Sequence, residues 1–507
     1  MISLPPPAVT IADAVMGESV MRRAASVLLE LGTQVSAVEP FAAALLRARR
    51  ALGHSADSEQ LFSYWKSRSP GNPRSEMRYR WELTHRRGVP MPSYAPTEER
   101  WTAWRAAEEP VVRRDPFEFE ERLVTPIIIT ENGELLAEAA QAGSDTAEAL
   151  LAEALPVLRR DFAGYIQASD PWQDTFALYC LVRKPRMFAM LHPLAVAIAT
   201  NYAAGSSGVV YGIRYPFHQQ PLVSGSAQLA AGLWALGSDL ELVAALVEFV
   251  SSERLPDGGW GDASSRSDLL TTIVTADLLS HVDPEFEADP TRTLLARAAG
   301  EDGLWRAFGP EAPWLTLEVL ELMASLERSF AERFRFPFLP DVNRDHKTKL
   351  PFFAYFADLC RLFRALPGLS RTRTDLAFID LIGFRAFNNA YGQERGDDVL
   401  RAFADALRTL PAARAIRDGG DEFLVVGAPG RSGLRADLES FRAEWPVRFL
   451  AHFGQGVPPV APRILVARAR GGSLTEVREH LGRAITSLKD RSAPDDPKGI
   501  LVDAGDV

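Results

Sequence analysis

The sequence predicts a protein of several domains, with an all-α N-terminal region followed by a C-terminal α/β domain in which helices flank a mixed sheet. Residues 170–335 contain helical patterns separated by turns with glycine and tryptophan, whereas residues 341–507 alternate apolar strands with amphipathic helices. The segment 336–340 holds two prolines that interrupt the helical patterns, and it marks the boundary between these parts. At 507 residues the chain has room for roughly two to four domains.

The composition disfavours several classes of protein. The chain has 56 basic and 66 acidic residues, a formal net charge of −10, which disfavours nucleic acid or an anionic membrane as a partner. Cys180 and Cys360 are too few for a disulfide framework or a zinc cluster. The apolar segment 191–204 is too short for a membrane span and contains His192 and Asn201. The N-terminus lacks the basic segment of a secretory signal, so we expect a cytoplasmic protein without a membrane span.

Residues 1–169 carry helical patterns at 18–50 and 133–168. A stretch rich in tryptophan and arginine separates them, and 123–129 is the one predicted strand of this region. No motif assigns a chemistry to these residues. They either add helices to the next region or form a separate cap.

Residues 170–335 contain a repeat in which an aromatic residue beside a glycine-containing turn precedes a helical segment. Tyr211, Trp260 and Trp305 recur at intervals of about 45 to 50 residues, a period typical of stacked supersecondary units. The pattern, clearest in Asp-Gly-Gly-Trp-Gly-Asp at 257–262, resembles the α/α toroid of terpene cyclases and protein prenyltransferases. The acidic and zinc motifs of those enzymes are missing. We therefore expect Trp260 and Trp305 to have a structural role. If the toroid binds a ligand, we expect that ligand to be an apolar molecule.

The predicted elements of the C-terminal domain follow from local patterns. Pro351 opens a helix with an apolar stripe, which Pro367 and Gly368 end. The elements that follow alternate in type, as expected for helices packed on a mixed sheet. They are a strand at 376–381, helices near 384–391 and 396–409, a hairpin at 413–427, a helix near 433–443, a strand at 463–468, a helix at 474–489 and a short strand near 499–502.

The hairpin presents two adjacent carboxylates beside glycines. Its sequence Gly-Gly-Asp-Glu-Phe at 419–423 lies between two short apolar runs, and we expect residues 418–420 to supply the positive φ angles of a tight turn. Glycines leave room for a phosphate at such a turn. Taken alone, Asp421 and Glu422 are more simply interpreted as solvated hairpin residues.

Residues upstream place the hairpin in a longer ordered pattern. A strand-end Asp, a Phe-Arg pair, an Asn and a Gly-Asp pair are supplied by Asp380, Phe384, Arg385, Asn388, Gly396 and Asp397. In this order and spacing the chain resembles the GGDEF family of diguanylate cyclases over residues 341–507. The family's opening motif is matched weakly at 345–351, and its closing helix is matched at 484–489.

The resemblance implies an enzyme that condenses two GTP molecules into cyclic di-GMP, a bacterial second messenger, with two Mg²⁺ or Mn²⁺ ions per active site. Attack of a 3′-hydroxyl on an α-phosphate builds charge on the attacking and leaving oxygens, which cations held by carboxylates stabilise. The implied catalytic residues are Asp380, Asp421 and Glu422. The implied metal ligands are Asp380, Leu381, Asp421 and Glu422. The implied substrate-binding residues are Phe384, Arg385, Asn388, Asp397, Gly419, Gly420 and Lys489.

Asn388 and Asp397 are the residues that the resemblance assigns to the guanine edge, whose N–H groups a carboxylate accepts. Asp397 is alternatively a helix N-cap, and Lys489 an exposed helical lysine. Because one such domain holds one GTP, the resemblance also implies a homodimer, formed through the N-terminal region or by pairing of the GGDEF domains.

Departures from the family pattern leave other functions open. Ile382 and Asn389 stand where many relatives have Asp, and Gln393 stands where they have His. The domain is then either an active cyclase regulated by the N-terminal region or a silent nucleotide-binding or interaction module. In a third alternative the toroid acts on an isoprenoid and the GGDEF domain regulates it. Leu410 and Ala413 replace the Arg and Asp of the family's inhibitory site, so feedback inhibition through that site is not expected.

Overall fold

The computed structural model describes residues 171–203, 221–262, 266–299, 313–337, 344–489 and 499–506, with Trp305 and isolated positions between 130 and 159. The chain divides into two compact units. The first contains the described residues up to Leu233 with Ala245–Leu278 and Glu287–Glu327; the second contains Trp234–Ala244, Leu279–Phe286 and the described residues from Arg328 onward. The helix predicted at 18–50, the strand predicted at 123–129 and the aromatic Tyr211 lie outside the described residues.

Helices are the regular elements of the described residues between 171 and 337. They are α1 (Pro171–Val182), α2 (Pro185–Ala203), α3 (Val223–Leu236), α4 (Leu240–Ser252), α5 (Leu269–Val282), α6 (Ala288–Arg297), α7 (Pro313–Leu326) and α8 (Phe330–Arg333). Their arrangement as a toroid stays a prediction. Within the described part of the chain, no helix is both long enough and apolar enough to cross a bilayer.

Trp260 and Trp305 have equivalent surroundings in the first unit. Both are fully buried, and each indole N–H donates to a carbonyl near the end of the preceding helix, Val250 O in α4 and Leu295 O in α6, at 2.7 Å in both cases. Buried indoles need such a partner. The two tryptophans therefore have the structural role that the sequence predicts for them.

The C-terminal part of the second unit alternates helices with strands. Its elements are α9 (Phe353–Ala365), α10 (Pro367–Arg371), β1 (Arg373–Ile382), α11 (Phe384–Tyr391), α12 (Gln393–Arg408), β2 (Ala413–Gly419), β3 (Glu422–Gly427), α13 (Leu434–Phe453), β4 (Ala461–Arg470), α14 (Leu474–Lys489) and β5 (Ile500–Asp506). The strands form one sheet in the order β2-β3-β1-β4-β5. Neighbouring strands are antiparallel except for β4 and β5, which are parallel. The predicted mixed sheet flanked by helices is confirmed.

The alternation of β1 assigns its side chains to two faces of the sheet. Ala377, Ile379 and Leu381 belong to the apolar core that α12 and α13 cover. Since successive side chains of a strand point to opposite faces, Phe378 and Asp380 belong to the other face. On that face the Phe378 ring packs against α14. Asp380 is thus placed outside the main apolar core, at the C-terminal end of the central strand.

The helix α13 extends well beyond its predicted bounds. The helix predicted near 433–443 continues as α13 to Phe453, through Pro446. Proline removes a backbone donor, but Trp445 and Phe449 on either side of it are buried in the core, and this packing overrides the local preference. Pro367 follows the end of α9 as predicted and then occupies the first position of the short α10.

Candidate functional site

Asp380 and Glu422 lie opposite each other on neighbouring antiparallel strands, β1 and β3. Opposite residues of an antiparallel pair share a face of the sheet, and their Cβ atoms are typically about 4.5–5.5 Å apart. Asp380 is buried and Glu422 is half-buried. Asp421, the third residue predicted to be catalytic, is adjacent to Glu422 in the hairpin turn. The register therefore brings the two strand carboxylates together on one face, beside the turn.

The hairpin turn consists of Gly420 and Asp421, between the last residue of β2 and the first of β3. Gly420 has φ = 42°, whereas Asp418 and Gly419 do not have positive φ. The prediction of positive φ is therefore confirmed at Gly420 and wrong at Asp418 and Gly419, because β2 continues to Gly419 and a bulge after Arg417 accommodates the extra residue. A Cβ atom built on Gly419 or Gly420 would meet nothing within 4 Å. Open space thus borders both glycines.

Arg463 on β4 lies opposite Asp380 on the other side of β1. Its Nη1 is 2.9 Å from Asp380 Oδ2, and each of the two side chains is only 5% exposed. The Nε of Arg463 is buried without a hydrogen-bond partner among the described residues. Glu422, Asp380 and Arg463 therefore form a row of charged residues across three strands, on one face of the sheet. Sequence reasoning missed Arg463, because only the register of β4 against β1 reveals the pairing.

A second buried ion pair fixes the base of the hairpin. Arg417 Nη1 is 3.0 Å from Asp345 Oδ1, and Arg417 also donates to the carbonyl of Gly420. Thr348 donates both its backbone N–H and its hydroxyl to the same Asp345 oxygen. Burial favours a raised pKa for Asp345, but the hydrogen bonds from Thr348 and the charge of Arg417 outweigh burial and lower that pKa. Part of the weakly matched opening motif thus holds the turn in place.

α11 and α12 bring Asn388 against Gly396. A Cβ atom on Gly396 would lie 1.7 Å from Asn388 Oδ1, so the carboxamide occupies the space that a larger residue would fill. This oxygen is buried and has no hydrogen-bond partner within the part of the chain that the structure describes. Asp397 Oδ1 is 2.8 Å from Lys347 Nζ. Asp397 lies inside α12, which begins at Gln393, so the alternative of a helix N-cap is wrong.

The four remaining predicted site residues have different surroundings. Phe384 packs against the apolar core, and Arg385 is exposed in the first turn of α11. The Leu381 side chain is buried in the core, so only its backbone carbonyl is suited to a metal ion. Its partner on β4, Pro462, has no N–H to donate to that carbonyl. Lys489 is the last residue of α14, and its side chain lies outside what the structure describes.

Asp418 connects the hairpin to α14, which sequence reasoning also missed. It forms an ion pair with Arg478, and its side chain is 3% exposed. The Arg478 guanidinium lies over the rings of Phe353 and Phe378, at 4.9 and 5.7 Å from their centroids. Cation–π contacts of this kind hold the guanidinium in a defined orientation. The turn is therefore tied both to the opening motif and to the last helix.

The donor chemistry of the site fits a divalent cation. Among the described residues no group of three or more His, Cys, Asp or Glu is arranged to hold a metal ion. Asp380 and Glu422 nevertheless supply hard carboxylate oxygens, and Leu381 can add a neutral carbonyl oxygen, which are the ligands that Mg²⁺ prefers. Arg463 is the one departure from this donor set, because it engages Asp380 as a fixed positive charge.

Comparison with known proteins places the site in a family. The model of the family described as "Diguanylate cyclase, GGDEF domain" matches residues 342–432. Residues 342–432 therefore carry a GGDEF domain. Diguanylate cyclase DgcP of Escherichia coli (strain K12) is 29% identical over 203 residues, which are 38% of this chain and 54% of that protein. Diguanylate cyclase TpbB of Pseudomonas aeruginosa (strain UCBPP-PA14) is 40% identical over 98 residues, which are 18% of this chain and 22% of that protein.

The chain thus spans about half of the first relative and about a fifth of the second. Among solved structures, the coiled coil and GGDEF domain of DgcB from Caulobacter crescentus, in complex with c-di-GMP, is 23% identical. That match covers 32% of this chain and 86% of the other, with a TM-score of 0.27. The GGDEF domain of this chain is homologous to those of diguanylate cyclases, which supports a link to cyclic di-GMP synthesis in general.

Proposed function

We propose that the GGDEF domain is a diguanylate cyclase, which condenses two molecules of GTP into cyclic di-GMP. The observation that carries the proposal is the pairing of Asp380 with Glu422 on one face of the sheet, beside an open glycine turn, inside the matched GGDEF domain. Carboxylates in this arrangement suit nucleotidyl transfer, because they can hold the divalent cation that stabilises the negative charge developing on the reacting oxygens.

Asp380, Asp421 and Glu422 are the proposed ligands of Mg²⁺ or Mn²⁺, with the Leu381 carbonyl as a further donor. When bound, such an ion stabilises charge on the attacking 3′-oxygen and on the leaving phosphate oxygen. These carboxylates would hold the ion beside the hairpin turn. The resemblance to the family implies two ions per site.

The triphosphate is proposed to lie along the turn. Gly419 and Gly420 border open space and offer backbone to a phosphate without an intervening side chain. Arg385 is exposed in the first turn of α11 and can supply a charge-assisted hydrogen bond. Lys489, at the end of α14, is the second proposed cation.

The guanine base is proposed to bind between α11 and the loop before α9. Asp397 can accept from the N1–H and N2–H₂ groups of guanine, and the carboxamide oxygen of Asn388, which has no donor among the residues that the structure describes, can accept as well. Lys347, which sequence reasoning missed, lies next to Asp397 and can donate to the guanine O6. Phe384 packs against the core and supports α11, so its proposed role is to position these groups.

Condensation of two GTP molecules needs two such sites facing each other, so we propose that the active form is a homodimer. The N-terminal region is proposed to regulate that pairing, with an apolar ligand of the helical part as the candidate signal. The motive is the aromatic repeat with its buried Trp260 and Trp305. Incubation of the purified protein with lipid extracts, followed by mass spectrometry, tests the ligand: retention of no apolar molecule would count against it.

A catalytically silent nucleotide-binding module is the second candidate. Ile382, Asn389 and Gln393 depart from the family pattern, and the buried contact of Arg463 with Asp380 specifically favours this alternative, because it engages a proposed metal ligand. In a silent module the same residues would bind GTP without turning it over.

One experiment separates the two candidates. The full-length protein is incubated with GTP and either Mg²⁺ or Mn²⁺, the products are separated and identified by mass, and GTP binding is measured in parallel by calorimetry. Formation of cyclic di-GMP supports the cyclase. GTP binding without product supports the silent module, and absence of both overturns the proposal.

A further inference from the structure

Arg463 on β4 lies directly opposite Asp380 on β1. The two residues are cross-strand partners, and the Nη1–Oδ2 distance of 2.9 Å is that of a charge-assisted hydrogen bond. Both side chains are almost completely buried, so the solvent screens their attraction very little. Asp380 therefore already has one counter-charge before any ligand arrives.

This pairing limits what Asp380 can do for metal ions. In a two-metal site the ions lie about 3.5–4 Å apart, and a carboxylate that bridges them uses both of its oxygens. Oδ2 of Asp380 is engaged by a guanidinium, which cannot give up its charge because arginine stays protonated in proteins. A second dication on that oxygen would have to lie beside the fixed positive charge of Arg463.

One N–H group of the Arg463 guanidinium is not used in the contact with Asp380. Arg463 Nε is buried and has no hydrogen-bond partner among the described residues, and an unsatisfied buried donor costs free energy in the absence of an acceptor. A phosphate oxygen is an acceptor of the right charge, and planar guanidinium groups bind phosphate well. Arg463 therefore has the chemistry to bind a nucleotide phosphate.

We propose that Arg463 replaces one of the two metal ions, so that the site binds one divalent cation per nucleotide. This inference rests on the proposed function, since it assumes that Asp380 and Glu422 bind a metal–GTP complex. Arg463 then acts as a fixed positive charge between Asp380 and the phosphates, and Glu422 with the remaining donors holds the single ion.

The test counts bound ions. The full-length protein is titrated with Mn²⁺ in the presence of saturating α,β-methylene-GTP, which cannot react at the α-phosphate; free Mn²⁺ is measured by electron paramagnetic resonance and bound nucleotide by filtration. The wild type is expected to bind one Mn²⁺ per bound nucleotide. The Arg463→Met variant is expected to bind two, a twofold increase.

Arg468→Met is the matched control. Arg468 and Asp375 are also cross-strand partners on β4 and β1, with Nε 3.5 Å from Oδ1, but they lie at the opposite end of the strand pair. This variant should keep the wild-type count of one ion. Comparison of Arg468→Met with Arg463→Met therefore tests whether the position of the arginine on β4, and not the loss of an arginine as such, sets the number of bound ions.

Each result decides the matter. Two ions per nucleotide in the wild type would overturn the inference while leaving the proposed function in place, and this holds even if Arg463→Met does not fold. One ion in both the wild type and Arg463→Met would show that Arg463 does not replace an ion. Failure of the wild type to bind the nucleotide at all would overturn the proposed function and the inference with it.

Discussion

Removal of the Asp380 carboxylate is predicted to destabilise the sheet as well as the site. In Asp380→Ala, Arg463 keeps its charge in a place where its side chain is only 5% exposed, and no described acidic residue is paired with it there besides Asp380. Breaking a buried ion pair on one side typically costs about 3–5 kcal/mol, because the remaining charge is left uncompensated. If Asp380 were only a metal ligand, its replacement would be expected to leave the stability of the fold unchanged.

Hydrogen exchange followed by mass spectrometry measures this cost locally. A loss of about 3–5 kcal/mol corresponds to roughly 10²- to 4 × 10³-fold faster exchange of the β1 amides, since each 1.4 kcal/mol is a factor of about ten. The double variant Asp380→Leu with Arg463→Met should recover most of the loss, because replacing a whole buried pair by apolar residues is often neutral. Asp398→Ala, which removes an exposed ion pair to Arg401 one turn along α12, should change exchange by less than about tenfold.

Exchange in Asp380→Ala that is as slow as in the wild type would refute the reasoning. It would mean that Arg463 finds another counter-charge, or that solvent reaches the pair. A double variant less stable than Asp380→Ala would equally contradict the proposed origin of the loss.

Three further predictions concern other parts of the molecule. Gly396→Ala should displace the Asn388 carboxamide and weaken GTP binding about tenfold, whereas the unfolding free energy stays equal or rises by up to about 1 kcal/mol, because alanine favours helix. Lys347→Met should lower the preference for GTP over ATP about tenfold in competition binding, because the donor to guanine O6 is lost. Burial, with the charge of a neighbouring carboxylate second, raises the pKa of Asp262 from 3.8 to about 6. A raised pKa means that the folded state holds the proton more tightly, so this stabilisation is complete below about pH 4 and is lost as the pH rises through 6. Asp262→Asn should therefore gain about 3 kcal/mol relative to the wild type between pH 4 and pH 7.5, measured by urea unfolding.

Each of these has a clear contrary outcome. Unchanged GTP affinity in Gly396→Ala would show that Asn388 does not contact the base. An unchanged ratio of the affinities for GTP and ATP in Lys347→Met would show that Lys347 does not take part in recognition of the base. A stability difference between Asp262→Asn and the wild type that is the same at both pH values would mean that Asp262 titrates near its ordinary pKa.

Local patterns in the sequence predict the elements that form the sheet and its hairpin. β1 and the hairpin are short, apolar and bounded by turn residues, so their existence follows from nearby residues. The opposition of Asp380 and Glu422 is also foreseeable in outline, because a strand-end carboxylate and a hairpin carboxylate on adjacent strands share an edge of the sheet. The bounds are less predictable: α13 passes through Pro446 because Trp445 and Phe449 are buried, which is a property of the tertiary packing.

The charged partners of the site could not be predicted in the same way. Arg463 pairs with Asp380 and Lys347 with Asp397 across separations of 83 and 50 residues. Such pairs depend on the register of strands and on the packing of a loop against a helix, and neither leaves a local pattern in the sequence. The positive φ angles predicted at Asp418 and Gly419 are wrong for the same reason, since the bulge after Arg417 depends on the partner strand.

Cyclic di-GMP formation by Glu422→Gln tests the central claim most directly. Glutamine keeps the size of the side chain and removes the charge, and Glu422 is only half-buried, so the fold should persist. Loss of a ligand that places the cation should cost several kcal/mol of transition-state stabilisation, which is roughly a hundredfold or more in turnover. Glu394→Gln, an exposed residue of α12, is the matched control and should turn over like the wild type. Wild-type turnover by Glu422→Gln would contradict the claim that Asp380 and Glu422 act together on one metal–GTP complex.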